Sequence, residues 1–224
     1  ETDVTVVTFV QEGAPEFERD QGVKVYRVGA SMQRLSALYT DKERQHAAPF
    51  PDPETIWALQ RIIRQERPDI VHAHNWLVHS FTPLKAWSKA KLVVTLHDCS
   101  LVCAKQSFVY REGLCSGPGL TKCLKCSAQH YGTTRGVSIT VANWVGKMVE
   151  HRTVDMFLPV SRAIAEAAEL AKHALSYRII PNFIPNDPGM PLDNANPLLA
   201  QLPHDDYLLF VGDVRRGKGV EVLL

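Results

Sequence analysis

Apolar residues in this chain come in short bursts separated by polar turns, and the bursts alternate between strand-like and helix-like spacing. Val4–Phe9 and Val23–Val28 are β-branched-rich runs of strand length. Asp52 followed by Pro53 marks a helix start: a carboxylate that can accept from first-turn amides, then a ring whose fixed φ suits the first helical position. Ile56, Leu59 and Ile63 continue as one stripe to about Glu66, and Pro68 stops it. The pattern then predicts a strand over Asp69–Asn75, a short helix over Phe81–Ala90 with Pro83 in its first turn, and a strand over Lys91–Asp98. Residues 92–96 lack polar alternation, so this strand reads as buried on both faces of a parallel sheet. A helix around Ser138–His151, a strand over Met156–Val160, an Ala-rich helix capped by Ser161 and a short strand over Tyr177–Pro181 follow.

Strands alternating with helices imply an α/β fold: a Rossmann-like parallel sheet with helices on both faces. Residues 186–206, rich in Pro, Asn and Asp, read as a linker between a first domain over 1–185 and a second α/β unit over 207–224. In that second unit a strand is expected over Tyr207–Val211 and a helix from Gly217 to Leu224. The chain opens without Met almost directly in a strand and stops inside a predicted helix, so both ends read as cut, with a first strand missing from the first domain.

Composition changes this picture little. Of 224 residues, 45% are apolar and 22% charged, with a net charge of +1, which removes the electrostatic case for nucleic acid as the main partner. No apolar run approaches the roughly 18 residues of a spanning helix. Five cysteines without a leader sequence suit reduced thiols or metal better than a secreted disulfide framework, and a cytoplasmic setting is expected.

Candidate chemistry concentrates where strands should end, because ligands of open α/β sheets bind beyond the carboxyl ends of the strands. His72 and His74 share a strand face by period-two alternation. With Asn75 and with His97 and Asp98 at the end of the next strand, His74 can line one pocket, its imidazole suited to proton handling or to bonding sugar hydroxyls. The plainer reading is that some of these groups hydrogen-bond loop backbone. Another is a metal-dependent hydrolase with His72, His74, His97 and Asp98 as ligands.

The loop after His97 carries Cys103, Cys115, Cys123 and Cys126, enough thiols for a structural zinc site; disulfides or unligated thiols are the alternatives. A zinc-loop interaction module without enzymatic activity is the corresponding third reading of the chain. Cys99 is the leftover thiol. Gly212-Asp-Val-Arg-Arg-Gly217-Lys218-Gly219 has phosphate-loop spacing but lacks the Ser or Thr that would hold magnesium. It reads either as an anion site, with Arg215, Arg216 and Lys218 nearby, or as a solvated basic turn. Val141, Trp144, Val145 and Met148 form a helical stripe read as core-facing, with contact to a membrane or a lipid-linked acceptor as the other reading.

Five motifs in register resemble retaining glycosyltransferase family 4: Pro68-Asp-Ile-Val-His-Ala-His74, Val93-Val-Thr-Leu-His97-Asp98, Pro159-Val-Ser161-Arg162, Ile179-Ile-Pro-Asn182, and Leu209-Phe-Val-Gly212 through Lys218-Gly219. The cysteine loop is similar to a pattern in part of that family. The resemblance implies the GT-B fold of two facing Rossmann-like domains, with residues 1–185 on the acceptor side. It implies transfer of a sugar from a nucleotide-sugar to a glycan, lipid-linked or small-molecule acceptor, with His97 near the transferred sugar, Asp98 behind it, and Lys218 on the donor diphosphate. It also implies no metal requirement for catalysis, front-face displacement with a phosphate oxygen taking the proton, and a cytoplasmic, peripherally membrane-associated enzyme. Asp213 stands where the family usually has Arg, and the later donor-side carboxylates are absent, so residues 1–224 alone are not expected to turn over.

Overall fold

The computed structural model describes residues 2–31, 49–111, 113–183, 203, 205–207, 209–212 and 220, and the chain divides into two compact units, Glu1–Asn182 and Phe183–Leu224. The first unit opens with β1 (Thr5–Phe9), β2 (Phe17–Asp20) and β3 (Val23–Val28). They form a sheet in the order β1-β3-β2, with β1 parallel and β2 antiparallel to β3. The apolar pattern does not announce β2. It exists because Gln21 and Gly22 both take positive φ, 46° and 87°, making the two-residue turn whose twist matches paired strands.

Helix α1 (Pro53–Glu66) begins as its sequence dictates: Asp52 accepts the Thr55 N–H at 3.0 Å. It ends on left-handed Arg67, whose N–H reaches the Ile63 carbonyl at 2.9 Å, one residue before Pro68. β4 (Ile70–His74) follows, then a 3-10 turn (Asn75–Leu77), α2 (Val78–Phe81) and a second 3-10 turn (Thr82–Leu84). The helical segment thus lies earlier than the predicted Phe81–Ala90. Val78, Phe81 and Leu84, three residues apart, are buried together, whereas beyond Leu84 the large apolar Trp87 is exposed and offers no face to seal.

β5 (Lys91–Leu96) leads into a segment with structure of its own: the hairpin β6 (Val109–Tyr110) and β7 (Gly113–Leu114), then α3 (Leu120–Tyr131). α4 (Thr133–Thr153), β8 (Met156–Pro159) and α5 (Arg162–Ala167) complete the unit, the last capped by Ser161 through the Ile164 N–H at 3.3 Å. β4, β5 and β8 form a wholly parallel sheet in that order. The segment predicted as a strand at Tyr177–Pro181 runs along β8, with Arg178 N–H on the Phe157 carbonyl at 3.0 Å and Ile180 N–H on Pro159 at 3.1 Å.

One face of this sheet is sealed. Leu92, Val94, Leu96 and Phe157 are buried among Leu59, Val78, Phe81, Leu84 and Leu170. The opposite face is not sealed: Ile70, His72 and His74 are exposed, and Val93 and Thr95 are only half-buried. Burial of β5 on both faces is therefore corrected. The open face carries the histidines.

α4 corrects a second expectation. Its buried positions are Gly136, Thr140, Asn143, Gly146 and Glu150, a small and polar seam against α3 and α2. Val141, Val145 and Met148 are 46%, 51% and 52% exposed, and Trp144 is half-buried, so the apolar stripe faces away from the core. Glycines let α4 approach its neighbours too closely for large side chains to fit on that side.

Just before β8, the Asp155 carboxylate takes Lys85 Nζ at 2.7 Å, the Leu92 N–H at 2.8 Å and Lys91 Nζ at 3.0 Å, pinning two neighbouring strands. Lys85 above all, then the Leu92 amide and Lys91, hold this carboxyl well below the usual carboxylate range against the opposing effect of partial burial. A depressed carboxyl contributes stability above its unfolded pKa, and that stability is lost as pH falls through the folded value. Asp155→Asn is therefore expected to cost about 2 kcal/mol at neutral pH. The gap to the parent protein should close only at strongly acid pH, as urea titrations across that range will show.

In the second unit, the described residues of the predicted strand Tyr207–Val211 carry no strand pairing. Arg215, Arg216 and Lys218, with most of the predicted linker, lie outside the described residues.

Candidate active site

The parallel register sets His72 opposite Val93 and His74 opposite Thr95, so the three-residue run His72-Ala-His74 lies beside the end of β5. Ala73 faces the core side and the two imidazoles face out. His97, one residue past β5, falls on the same face as Thr95 and comes back against His74. His74 Nδ1 and His97 Nε2 are 2.8 Å apart, with the rings edge to edge at 5.1 Å between centroids and 24° between planes. His72 lies on the other side of His74, centroid to centroid 4.5 Å, and its Nε2 meets the Thr95 hydroxyl at 2.7 Å.

The sequence thus brings His74 and His97 together, as their strand positions suggest. It also recruits Thr95, which the reading of residue types passed over. A hydroxyl in register with His74 on a neighbouring strand is the signal that could have found it. Partial burial first, then the neighbouring imidazoles, pull His74 below the ordinary histidine range; burial and His97 do the same to His72. A cluster of imidazoles resists collecting positive charge.

Asp98 is placed differently from His97. Its Oδ1 accepts the Ser100 N–H at 2.8 Å, so the carboxylate shapes the turn that carries the chain away from the sheet. Asn75 sits at the other lip with φ of 54°, a left-handed conformation that asparagine tolerates. Among the described residues no three His, Cys, Asp or Glu side chains meet in an arrangement that could hold a metal ion. The nitrogens of His74 and His97 point at one another rather than at a common centre.

The four loop thiols are neighbours without forming a closed centre. Cys103, Cys115, Cys123 and Cys126 line one largely apolar pocket with Phe108, Val109 and Pro118. All are free; Cys123 Sγ accepts the Gly119 N–H at 3.3 Å at the start of α3, and Cys115 Sγ donates to the Gly117 carbonyl at 3.4 Å. Cys99 is buried, its thiol pushed up to about 11 chiefly by that burial.

The model of the family described as Glycosyltransferase Family 4 matches residues 2–187. The chain belongs to glycosyltransferase family 4. Among solved structures, it is similar to a sucrose-phosphate synthase from Thermosynechococcus elongatus, with 12% identity, a TM-score of 0.46, and coverage of 81% of this chain and 76% of that one. No curated protein matches the chain. Family 4 membership makes it a glycosyltransferase acting on a sugar donor and an acceptor, and its strand-end histidines stand where α/β folds place ligands. Among the described residues, no helix is long and apolar enough to cross a membrane.

Proposed function

We propose that this family 4 chain is the acceptor-side part of a retaining, nucleotide-sugar-dependent glycosyltransferase of GT-B architecture, and that His97 meets the sugar being transferred. The observation that carries this reading is the His74–His97 pair on the open face at the carboxyl edge of a parallel sheet. His97 hydrogen-bonds a hydroxyl of the donor sugar, while His74 and Asn75 border the acceptor. Asp98 fixes the turn that presents His97. Arg215, Arg216 and Lys218 neutralise the donor diphosphate, so no metal is needed to stabilise the leaving group.

In the transfer step the acceptor O–H breaks and a new bond forms from its oxygen to the anomeric carbon. The bond from that carbon to the phosphate oxygen breaks on the same face, and the departing phosphate oxygen takes the proton. Configuration is retained without an enzyme nucleophile. The exposed stripe Val137, Val141, Val145 and Met148 favours a lipid-linked acceptor met at a membrane surface on the cytoplasmic side. The four thiols that line one pocket are proposed as ligands of a structural zinc, with no part in transfer.

One experiment tests these points together. The full-length protein is screened by thermal shift and turnover against a panel of nucleotide-sugars, with and without anionic vesicles, after elemental analysis. A ligand at a hundred times its Kd adds about 2.7 kcal/mol of stability, well within detection. Stabilisation and consumption by one nucleotide-sugar, faster with vesicles, and close to one zinc per chain are the expected results. Indifference to every nucleotide-sugar overturns the transfer reading, and metal-free active protein overturns the zinc.

A further inference from the structure

We propose that His74 is a positioning residue for His97: the imidazole–imidazole hydrogen bond occupies His97 Nε2 and leaves Nδ1 as the nitrogen that meets the sugar. The inference deepens the functional reading above and rests on it for its consequence in turnover, though its structural content stands alone.

Two ring nitrogens 2.8 Å apart can hold one proton between them and not two. A neutral pair therefore has two arrangements. If His74 Nδ1 carries the shared proton, His97 has its own on Nδ1 and presents a donor. If His97 Nε2 carries it, His97 presents an acceptor at Nδ1, and His74 then carries its own proton on Nε2. In either arrangement His97 cannot interchange its two nitrogens as a free imidazole does, because Nε2 is held in the bond to His74. The ring planes lie only 24° apart, close to the coplanar alignment an in-plane bond between ring nitrogens needs.

The surroundings favour this coupling. Among the described residues, the other titratable groups at this strand end are His72, its ring tilted against that of His74 and its Nε2 bonded to Thr95, and Asp98, whose carboxylate is bonded to the Ser100 N–H. His74 and His72 are both drawn toward the neutral form, chiefly by partial burial.

The test uses two variants and two readouts. In His74→Leu the bond is removed; in His74→Asn a side-chain amide atom stands near the place of Nδ1 and can restore it. Long-range proton–nitrogen spectra of histidine-labelled protein read the protonation of each His97 nitrogen and need no substrate. The parent and His74→Asn are expected to show His97 in one fixed tautomer. His74→Leu should show averaged nitrogens at His97. In the full-length protein, kcat of His74→Leu should fall about tenfold to hundredfold, with the donor KM changed far less, and His74→Asn should recover most of it. His97 spectra unchanged by His74→Leu overturn the proposal. Spectral coupling in a protein that consumes no nucleotide-sugar leaves the positioning intact and sinks the transfer reading instead.

Discussion

His97→Ala in the full-length protein is expected to lower turnover by about a hundredfold or more while leaving the fold in place. The two halves of that statement come from different observations. His97 is exposed, lies past the end of β5, and spends its bonding on another exposed imidazole, so its removal should change stability by no more than about 0.5 kcal/mol. Its placement at the carboxyl edge of a parallel sheet is where open α/β sheets bind ligands, and the function proposed above puts the donor sugar there. Asp98 supplies the control. Asp98→Asn keeps an oxygen able to accept the Ser100 N–H and so preserves the turn, whereas Asp98→Ala does not. If Asp98 acts by shaping the loop, the Asn variant stays close to the parent and the Ala variant loses activity through misplaced His97. Initial rates at saturating and limiting donor separate a kcat loss from a binding loss. His97→Ala turning over within about threefold of the parent would remove His97 from the reacting centre.

Much of this site was legible because period-two alternation is a hard geometric rule. Given a strand over residues 70–74, His72 and His74 must share a face, and a neighbouring parallel strand ending near residue 96 must bring His97 alongside. Which face stays open was less legible. The continuous apolar run of β5 suggests burial on both sides, yet Val93 and Thr95 line the side that carries the histidines. An apolar run reports that a strand is suitable for burial, while its neighbours decide how much burial it receives.

The helix inside the cysteine segment escaped for a related reason. Thiols counted as ligands hide the helical spacing of Cys123, Cys126 and Ser127, the inner side of α3, against Lys125, Gln129 and His130 outside. Counted as small apolar residues, the same thiols spell an amphipathic helix. The hairpin turn at Gln21-Gly22 escaped because glutamine rarely supplies the positive φ that the turn needs. In α4 the visible apolar stripe drew attention away from Gly136, Thr140, Asn143 and Gly146, which do the packing. Small residues carry little hydrophobic signal, and close approach of two backbones is a property of the pair of helices.

That close approach carries a stability effect as large as any expected of a single substitution here. A Cβ on Gly136 would lie 2.4 Å from the Ser127 carbonyl oxygen and 2.6 Å from the Ala128 nitrogen, both backbone atoms of α3 that cannot swing aside. The Ser127 hydroxyl also donates to the Gly136 carbonyl at 2.9 Å, so the contact is bonded as well as tight. Alanine would ordinarily improve a helix interior by nearly 1 kcal/mol over glycine. Overpacking against immovable backbone outweighs that gain, and Gly136→Ala is expected to destabilise by about 2 kcal/mol, roughly 4–8 °C in melting temperature. Gly113→Ala, where a Cβ meets nothing within 4 Å, is the matched control and should be near neutral. A further consequence reaches the thiol pocket. To admit the methyl group, α3 must move off α4, and α3 carries Cys123 and Cys126 into that pocket. Gly136→Ala should therefore raise the rate at which a thiol reagent labels the native protein, in parallel with the loss of stability. A variant that melts with the parent, or that loses stability while its thiols stay as protected as before, would show that the two helices are not held at this separation by the glycine.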